Sequence, residues 1–436
     1  MAISGDTIVV GAGYADAGTG PNAGTAFVFV RSGTTWTQQA QLLPGDPAPH
    51  DNFGYAVAIS GDTIVLGAPG HKAIASVMGD GAVYVFVRSG TTWTEQALLK
   101  ASHGQFADSL GYSVAVEGDT LVAGAPLNNH AFQSNSGAAY VFVRDGVTWS
   151  QQTKLFDSDG GVDDQLGSSV ALSGNTVVAG APLDTIGSAP LQGTASVFVR
   201  SGTSWSQQAK LISSDGLAFD RFGWGLAVRG DLVLIGASGD ANVNGPYAGS
   251  AYVFARAGGL WSEKLKFLAS DGAENDFFGI AVGIGGDTLL VTAQLDDNEG
   301  GVNTGSTYFV RLDGDWTDLG FGLAGVAGVP ALVGTGPLVG GTPGQLALSN
   351  ARPSAPCIEF LSLAGNPAPF KGGTLVPLPP ALMLGLVTPA SGAITQPFTW
   401  PSGLPSGLSL HVQFAIADPA AINGVALSNA LRGQTP

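Results

Sequence analysis

The sequence has little cysteine, few basic residues and few histidines. Its one cysteine, Cys357, cannot form a disulfide within the chain, so the fold depends on packing and we interpret Cys357 as a buried, inert thiol. Lys and Arg number 17 against 33 Asp and Glu. This balance argues against nucleic-acid partners, because Lys and Arg supply most of the affinity for phosphates. The five histidines show no metal-ligand spacing, and no pairing of a nucleophile with a base is visible.

Helix-forming windows are also missing. No window of helical length lacks glycine or a cluster of β-branched residues, which excludes helical repeats. Residues 319–351 carry no charge, but Pro330, Pro337 and Pro343 would break a helix in lipid. We therefore expect sandwich strands in this stretch and no membrane span.

A tryptophan recurs at a nearly constant interval through the first three quarters of the chain. Neighbouring members are 55–57 residues apart: Trp36, Trp93, Trp149, Trp205, Trp261 and Trp316. The phrase that runs from Phe53 to Pro69 recurs with the same period. The chain is therefore an array of sequence repeats.

Each unit contains four strand-like runs joined by turn signals. In the second unit, Gly61-Asp62 is a strong two-residue hairpin signal, and Pro69 ends the second run because proline cannot donate to a strand ladder. Four short antiparallel strands per repeat predict a β-propeller blade. We predict an all-β fold with about six four-stranded blades, the first lacking most of its opening strand. We expect them to close into a ring, since an open array would expose two strand edges; whether six blades close alone or a seventh belongs to the ring stays open.

The repeated motifs resemble those of a known family. One motif is the pair Phe53-Gly54, Phe222-Gly223 or Phe278-Gly279, with Leu110-Gly111 and Leu166-Gly167 as softened forms. The other is Gly-Ala-Pro, as in Gly67-Ala68-Pro69. The units resemble FG-GAP repeats, the propeller blades of integrin α chains and of many exported bacterial proteins, over residues 2 to about 318. Integrin-type repeats often carry an Asp-rich calcium loop between the two motifs. Here a tight turn, residues 60–63, takes that place, so the family's usual calcium site is absent.

Charge and proline divide the chain into two regions. Residues 1–318 hold 14 Lys and Arg against 31 Asp and Glu, whereas residues 319–436 hold 3 against 2 and contain 16 of the 25 prolines. We predict a propeller domain over 1–318 and a Pro-rich β-sandwich domain over 319–436. Within the second, residues 408–416 alternate between apolar and other residues, as a half-buried strand does.

The start of the sequence matches the middle of a repeat. Residues 2–12 align with residues 58–68, so the N-terminus looks truncated and no signal peptide can be read. The family resemblance nevertheless implies an extracellular or cell-surface protein. The oligomeric state stays open.

Paired aspartates recur before the Phe-Gly or Leu-Gly pairs. Two carboxylates in a glycine-containing loop offer calcium part of its oxygen shell. The alternative is that each aspartate caps a turn through its side chain, which needs no ion. We favour turn caps and no cofactor, and keep calcium as the second interpretation. The candidate metal pairs are Asp159 with Asp164, Asp215 with Asp220, and Asp271 with Asp276.

The residue after each Phe-Gly or Leu-Gly pair varies between units. Its members include Tyr55, Tyr112 and Trp224. These aromatic residues are candidates for a ligand platform, with Trp224 stacking on a sugar, although packing between blades is the interpretation we favour. The long loops at residues 70–80, 127–136 and 239–248 are expected to form the main contact surface.

These features favour a binding protein. We expect a non-enzymatic extracellular or cell-surface adhesion module that recognises a protein or glycan through the propeller loops. The first alternative is a polysaccharide-active or other hydrolytic enzyme on a propeller scaffold. The second alternative is a structural protein of the cell envelope.

Overall fold

The computed structural model describes residues 1–17, 20–72, 79–102, 104, 107–130, 132–269, 271–286, 288–298, 301–311, 316–335, 343–371, 373–377, 379–399 and 408–434. Within these ranges the secondary structure is β-strand apart from one 3₁₀ turn, Ile422–Gly424. The chain divides into two compact units. One comprises Met1–Ile284 with Leu290–Tyr308, and the other comprises Gly285–Leu289 with Phe309–Pro436.

Five four-stranded antiparallel sheets and one three-stranded sheet follow one another along the repeats, each in the order of the sequence. Blades 1 to 3 are β1 Ala2–Ser4, β2 Thr7–Ala12, β3 Thr25–Ser32 and β4 Thr35–Leu42; β5 Val57–Ser60, β6 Thr63–Ala68, β7 Ala82–Ser89 and β8 Thr92–Leu99; β9 Ser113–Glu117, β10 Thr120–Ala125, β11 Ala138–Asp145 and β12 Thr148–Leu155. Blades 4 to 6 are β13 Ser169–Ser173, β14 Thr176–Ala181, β15 Thr194–Ser201 and β16 Ser204–Leu211; β17 Phe222–Arg229, β18 Leu232–Ala237, β19 Ser250–Ala257 and β20 Leu260–Phe267; β21 Phe278–Gly285, β22 Thr288–Ala293 and β23 Ser306–Arg311.

The first hairpin of each blade is fixed by its turn chemistry. In blade 2, Gly61 adopts φ +56°, the left-handed conformation that a two-residue hairpin needs. The Asp62 side chain beside it accepts a hydrogen bond from Arg88 Nε at 2.7 Å, which ties the turn to β7. The guanidinium of Arg88 also lies 5.2 Å from the ring centroid of Trp93. The period in tryptophan thus marks a cation–π pair that recurs in blades 1 to 5.

Consecutive blades pack face to face through a buried apolar layer. Between blades 1 and 2 this layer includes Val9 and Val28 on one side and Leu66 and Tyr84 on the other, all fully buried. The backbones also meet closely, because a Cβ built on Gly67 of blade 2 would lie 1.9 Å from the carbonyl oxygen of Gly111 in blade 3. Glycine is therefore required for this approach.

Side-chain hydrogen bonds repeat at each of these interfaces. The indole N–H of Trp93 donates to Gln39 of the preceding blade at 3.0 Å, and the same bond recurs for Trp149, Trp205 and Trp261. Trp36 lies in blade 1, the first blade of the sequence, and its side chain is 37% exposed, against 9% for Trp93, which contacts a preceding blade. That the blades close into a ring stays a prediction.

The sixth blade differs from the prediction of four strands. The strand that carries Trp316, β24 Trp316–Gly320, pairs with β34 Ala430–Gln434 of the second unit, so the sixth sheet has three strands among the described residues. Thr292 also stands where the other five blades have the glycine that meets the next blade. Its hydroxyl donates to the carbonyl of Ala281 at 3.1 Å.

The second unit is a sandwich of two antiparallel sheets. One sheet has the strand order β24, β34, β32, β27, β30, with β33 paired to β32, and the other has the order β25, β26, β31. A separate hairpin joins β28 to β29. The remaining bounds are β25 Ala331–Thr335, β26 Pro343–Ser349, β27 Pro356–Ser362, β28 Gly365–Phe370, β29 Gly373–Pro377, β30 Leu382–Val387, β31 Ile394–Thr399, β32 Ser409–Ala417 and β33 Val425–Leu427.

The two sheets enclose one apolar core. Leu346 and Leu348 of β26 face Val412, Phe414 and the buried Cys357. Burial, together with the charge of Glu359, raises the pKa of the Cys357 thiol to about 11. The predicted sandwich is confirmed, and the strand predicted at residues 408–416 is present as β32. The expectation that this strand is half-buried is wrong, because residues 411–416 are all buried. Leu375 of β29 and Leu427 of β33 pack against the face that is turned away from the sandwich core. The predicted domain boundary at 318/319 falls inside β24, whereas the compact units divide at 308/309, with Gly285–Leu289 also in the second unit. The two domains with a boundary at 318/319 stay a prediction.

The uncharged stretch after residue 318 is built from strands. Its described part contains β25 and β26, which pair with each other. Pro337 lies outside the described residues. Across the described ranges, no helix has the length and apolar character needed to cross a membrane.

Candidate functional site at the loop end of the propeller

The predicted site residues lie at one end of the blades, which we call the loop end. Here the loop between the second and third strands meets the Phe-Gly or Leu-Gly turn of the next blade. Gly24 forms a parallel bridge with Phe53, and the same bridge joins Gly81 to Leu110 and Gly249 to Phe278. Crossovers and long loops therefore share one end of the array. Of the predicted loops, residues 73–78 and 131 lie outside the described part.

The later aspartate of each pair caps a turn. Asp220 Oδ2 accepts a hydrogen bond from Leu217 N at 2.6 Å, and Asp276 Oδ2 accepts one from Ala273 N at 2.6 Å. Asp164 accepts the equivalent bond from Gly161 N. Burial raises the pKa of Asp164 and of Asp220 to about 6, although these backbone bonds oppose the rise. Burial also raises the pKa of Asp276.

In blade 4, a lysine contacts one aspartate of the candidate calcium pair and two further aspartates. Lys210 Nζ is 2.9 Å from Asp159 Oδ1, 2.8 Å from Asp184 Oδ2 and 3.7 Å from Asp157 Oδ2. Burial alone would lower the pKa of Lys210, but its hydrogen bonds to Asp184 and Asp159 and the charge of Asp157 raise it above its ordinary value. The ammonium group thus supplies the positive charge that an ion would bring.

Blade 5 repeats the arrangement one period later. Lys266 Nζ is 2.7 Å from Asp215 Oδ2 and 2.9 Å from Asp240 Oδ2. The hydroxyl of Tyr252 donates to the other oxygen of Asp215 at 2.9 Å, and Lys266 Nζ is 5.1 Å from the centroid of the Tyr252 ring. Although burial alone would raise it, the pKa of Asp215 is lowered by the bonds from Lys266 and Tyr252.

In blade 3, the corresponding lysine reaches its aspartate through an amide. Lys154 Nζ donates to Asn128 Oδ1 at 2.5 Å, and Asn128 Nδ2 donates to Asp108 Oδ2 at 2.6 Å. Desolvation lowers the pKa of Lys154, against the opposing charge of Asp108.

Blades 2 and 6 have no lysine at this position. In blade 2 Leu98 stands there, and the buried His71 lies 3.5 Å from Asp51 through Nδ1. Tyr84 donates to Asp46 at 2.7 Å and lies 3.2 Å from the same His71 nitrogen.

In blade 6, Asp271 accepts a hydrogen bond from Tyr308 at 2.7 Å. Asp296 is bonded to the Ser306 hydroxyl. No group of three or more His, Cys, Asp or Glu side chains among the described residues is arranged to hold a metal ion. Calcium at the six aspartates stays the second interpretation, and turn caps without a cofactor stay the prediction.

Three tyrosines form an aromatic row across blades 1 to 3. The Tyr55 ring lies 5.0 Å from that of Tyr112 at an interplanar angle of 43°, and 6.1 Å from that of Tyr14 at 81°. Tyr14 is 70% exposed and Tyr55 is 36% exposed. Partial burial, followed by contacts with Tyr112 and Tyr14, raises the pKa of Tyr55. We call Tyr14, Tyr55 and Tyr112 the tyrosine row.

Trp224 lies apart from the row. The unit between it and Tyr112 has Ser168 at the corresponding position, and the Arg221 guanidinium lies 5.6 Å from the Trp224 ring centroid. One face of the indole is therefore already in contact with a cation. Of the predicted platform residues, the structure brings Tyr55 and Tyr112 together, and it adds Tyr14, which stands where the second blade has Gly70.

Comparison with protein-family models matches the repeats to one family. The model of the FG-GAP repeat matches residues 1–29, 36–86, 93–142, 149–198, 205–254 and 261–310. The chain belongs to the FG-GAP repeat family. A search of curated protein sequences found no match to the chain.

The FG-GAP motifs have a direct structural role here. Phe53 is fully buried between blades, and its ring lies 5.1 Å from that of Tyr84 in an edge-on arrangement. Gly54, with φ +81°, turns the chain so that its carbonyl oxygen meets the glycine of the Gly-Ala-Gly segment in blade 1. The motif therefore marks the contact between consecutive blades.

FG-GAP repeats are found in adhesion and surface-binding modules, and the family is typically extracellular. In this FG-GAP protein, the loop end exposes the tyrosine row, and Phe132, Phe219 and Tyr247 of other loops are exposed as well. In the Asp–Lys clusters of blades 4 and 5, in contrast, the lysine and aspartate side chains are already paired with each other.

Proposed function

We propose that the propeller unit is a non-enzymatic extracellular binding module and that the tyrosine row forms part of its ligand-contacting surface. The observation that carries the proposal is the clustering of three partly exposed aromatic rings from different blades. Tyrosine supplies a large apolar contact area together with a hydroxyl, and it is enriched among residues that dominate binding energy. Tyr14 is 70% exposed, so packing within the fold does not account for an aromatic side chain at this position.

A protein ligand is favoured over a glycan. The rings are inclined by 43° and 81° to their neighbours, so one flat sugar chain does not stack on all of them. An irregular protein surface can insert side chains between such rings. Because residues 1–318 hold 31 acidic against 14 basic residues, the partner surface is expected to be basic.

The hydrolase alternative has less support. The cluster closest to a catalytic arrangement is His71 with Asp51 and Tyr84, and all three side chains are buried, with His71 4% exposed. A base in that position does not reach a substrate at the surface. A structural protein of the cell envelope could carry the same binding surface. That alternative differs from the proposal in where the protein is located, not in what the tyrosine row contacts.

The test is a screen of the full chain against protein and glycan arrays, followed by affinity measurement for the strongest ligand. Tyr55→Ala is expected to weaken binding at least tenfold, as truncation of a central aromatic contact does. Leu260→Ala is the control, since Leu260 is exposed in a hairpin between third and fourth strands, away from the loop end. Equal affinity of Tyr55→Ala, Leu260→Ala and the unchanged protein would refute the assignment of the row.

A further inference from the structure

A carboxyl group lies inside the apolar core of the sandwich. Glu359 is on the inward face of β27, between Cys357 and Leu361, and is 1% exposed. Its neighbours across the ladder are Leu384 of β30 and Phe414 of β32. An acidic side chain in such surroundings is costly unless its oxygens are satisfied.

The partners of Glu359 satisfy it only in part. Its carboxyl group is hydrogen-bonded to Gln396 of β31, in the opposite sheet. Among the described residues, Glu359 Oε2 and Gln396 Oε1 have no hydrogen-bond partner although both atoms are buried. Desolvation raises the pKa of Glu359, against the opposing effect of the Gln396 bond. Two adjacent unpaired acceptors in one core call for a ligand or another donor.

Both residues line a cavity between the two sheets. The cavity has a volume of about 210 Å³, and its walls are otherwise mainly apolar, including Leu346, Leu384 and Leu410. A cavity of roughly 150 Å³ is enough to hold benzene. The space therefore accepts a small molecule with an apolar body, and no Lys or Arg is among the lining residues.

We propose that this cavity binds a small apolar primary amine, whose ammonium group donates hydrogen bonds to Glu359 Oε2 and Gln396 Oε1. An ammonium carries three donors and no acceptor, which matches two acceptors that have no donor. Its charge complements the carboxylate, and its alkyl chain fills the space beside Leu346, Leu384 and Leu410. A carboxylate ligand would be repelled, and a hydrocarbon would leave both acceptors unpaired.

The probes are 1-hexylamine, 1-hexanol and hexanoate, added separately to the full chain and followed by ligand-detected NMR. Hexylamine is expected to bind at least tenfold more tightly than hexanol, and hexanoate is expected not to bind. Because the amine needs the ionised carboxylate, its affinity is expected to increase with pH as Glu359 loses its proton. Equal binding of hexylamine and hexanol, or no binding of the amine, would overturn the proposal.

Two variants locate the site. Glu359→Gln keeps the shape and removes the charge, so hexylamine affinity is expected to drop at least tenfold, whereas Glu274→Gln, an exposed position in the first unit, is expected to change nothing. If Glu359→Gln does not fold, Leu384→Trp tests the same site by filling the cavity, and loss of amine binding is expected. Retained binding in a folded Glu359→Gln or Leu384→Trp protein would contradict the assignment.

Discussion

The contact between blades gives the sharpest prediction, the effect of Gly67→Ala. The new Cβ would lie 1.9 Å from the carbonyl oxygen of Gly111, whereas real Cβ contacts stay beyond about 3 Å, so the blades must separate by roughly 1 Å. A gap of that size forfeits about a quarter to a half of each dispersion contact along the interface. Because both colliding groups are backbone-linked, we expect a loss of about 3 kcal/mol of unfolding free energy.

Gly61→Ala is the matched control for this prediction. Gly61 has φ +56° but nothing within 4 Å of an added Cβ, so the substitution costs only the left-handed conformation, about 1 kcal/mol. The assay is urea unfolding of the full chain followed by tryptophan fluorescence, since six of the eight tryptophans lie in residues 1–311. A loss in Gly67→Ala no larger than that in Gly61→Ala would refute the reasoning.

Three further predictions concern the aspartate clusters. Lys210→Met leaves Asp184 and Asp157 without their cation, so the free energy of unfolding measured in urea is expected to fall by about 3 kcal/mol. If the unpaired charge is the cause, the double variant Lys210→Met with Asp184→Asn is expected to recover part of this stability. An unchanged urea midpoint in Lys210→Met would contradict the prediction. The pKa of Asp220 is about 6 in the folded state and about 4 in the unfolded chain, so the folded state holds more protons between these values and stability falls as pH rises from about 4 to about 6. Asp220→Asn is expected to flatten that dependence, and an identical pH profile would count against it. Millimolar calcium is expected to leave the thermal midpoint unchanged, because Lys210 and Lys266 already bond the carboxylates; a calcium-dependent rise that Asp220→Asn abolishes would show a metal site instead.

The parts of the fold that depend on local signals were predictable from the sequence. The hairpin at Gly61-Asp62 and the strand at residues 408–416 depend on neighbours within a few positions, and both are present. The half-burial expected of that strand depends on distant contacts, and it is wrong because both faces of β32 are covered. The turn-cap interpretation of Asp220 is of the same kind, because its partner, Leu217 N, is three residues away.

The parts that depend on distant contacts were not predictable. Lys210 of β16 meets Asp184 in the loop after β14. Lys266 and Asp240 repeat the same separation in the sequence, which is a signal of the pairing, but only the fold shows that side chains so far apart in the chain make contact. Tyr14 joins Tyr55 from another blade, at a position where the repeat shows no aromatic pattern. The spacing of Trp316 predicted a fourth strand for blade 6, but the choice of partner for β24 was decided by β34, more than a hundred residues later.

Thr292 of blade 6 stands where blades 1 to 5 have the glycine that contacts the next blade, and this difference affects where further blades can be added to the array. A blade duplicated anywhere before blade 6 would find a glycine on its predecessor and could stack in the usual way. A blade added after blade 6 would meet the side chain of Thr292, already bonded to Ala281. In evolutionary terms, internal duplication stays open to this array while extension from the sixth blade is blocked, and a designer who wants a longer array would first restore glycine at that position.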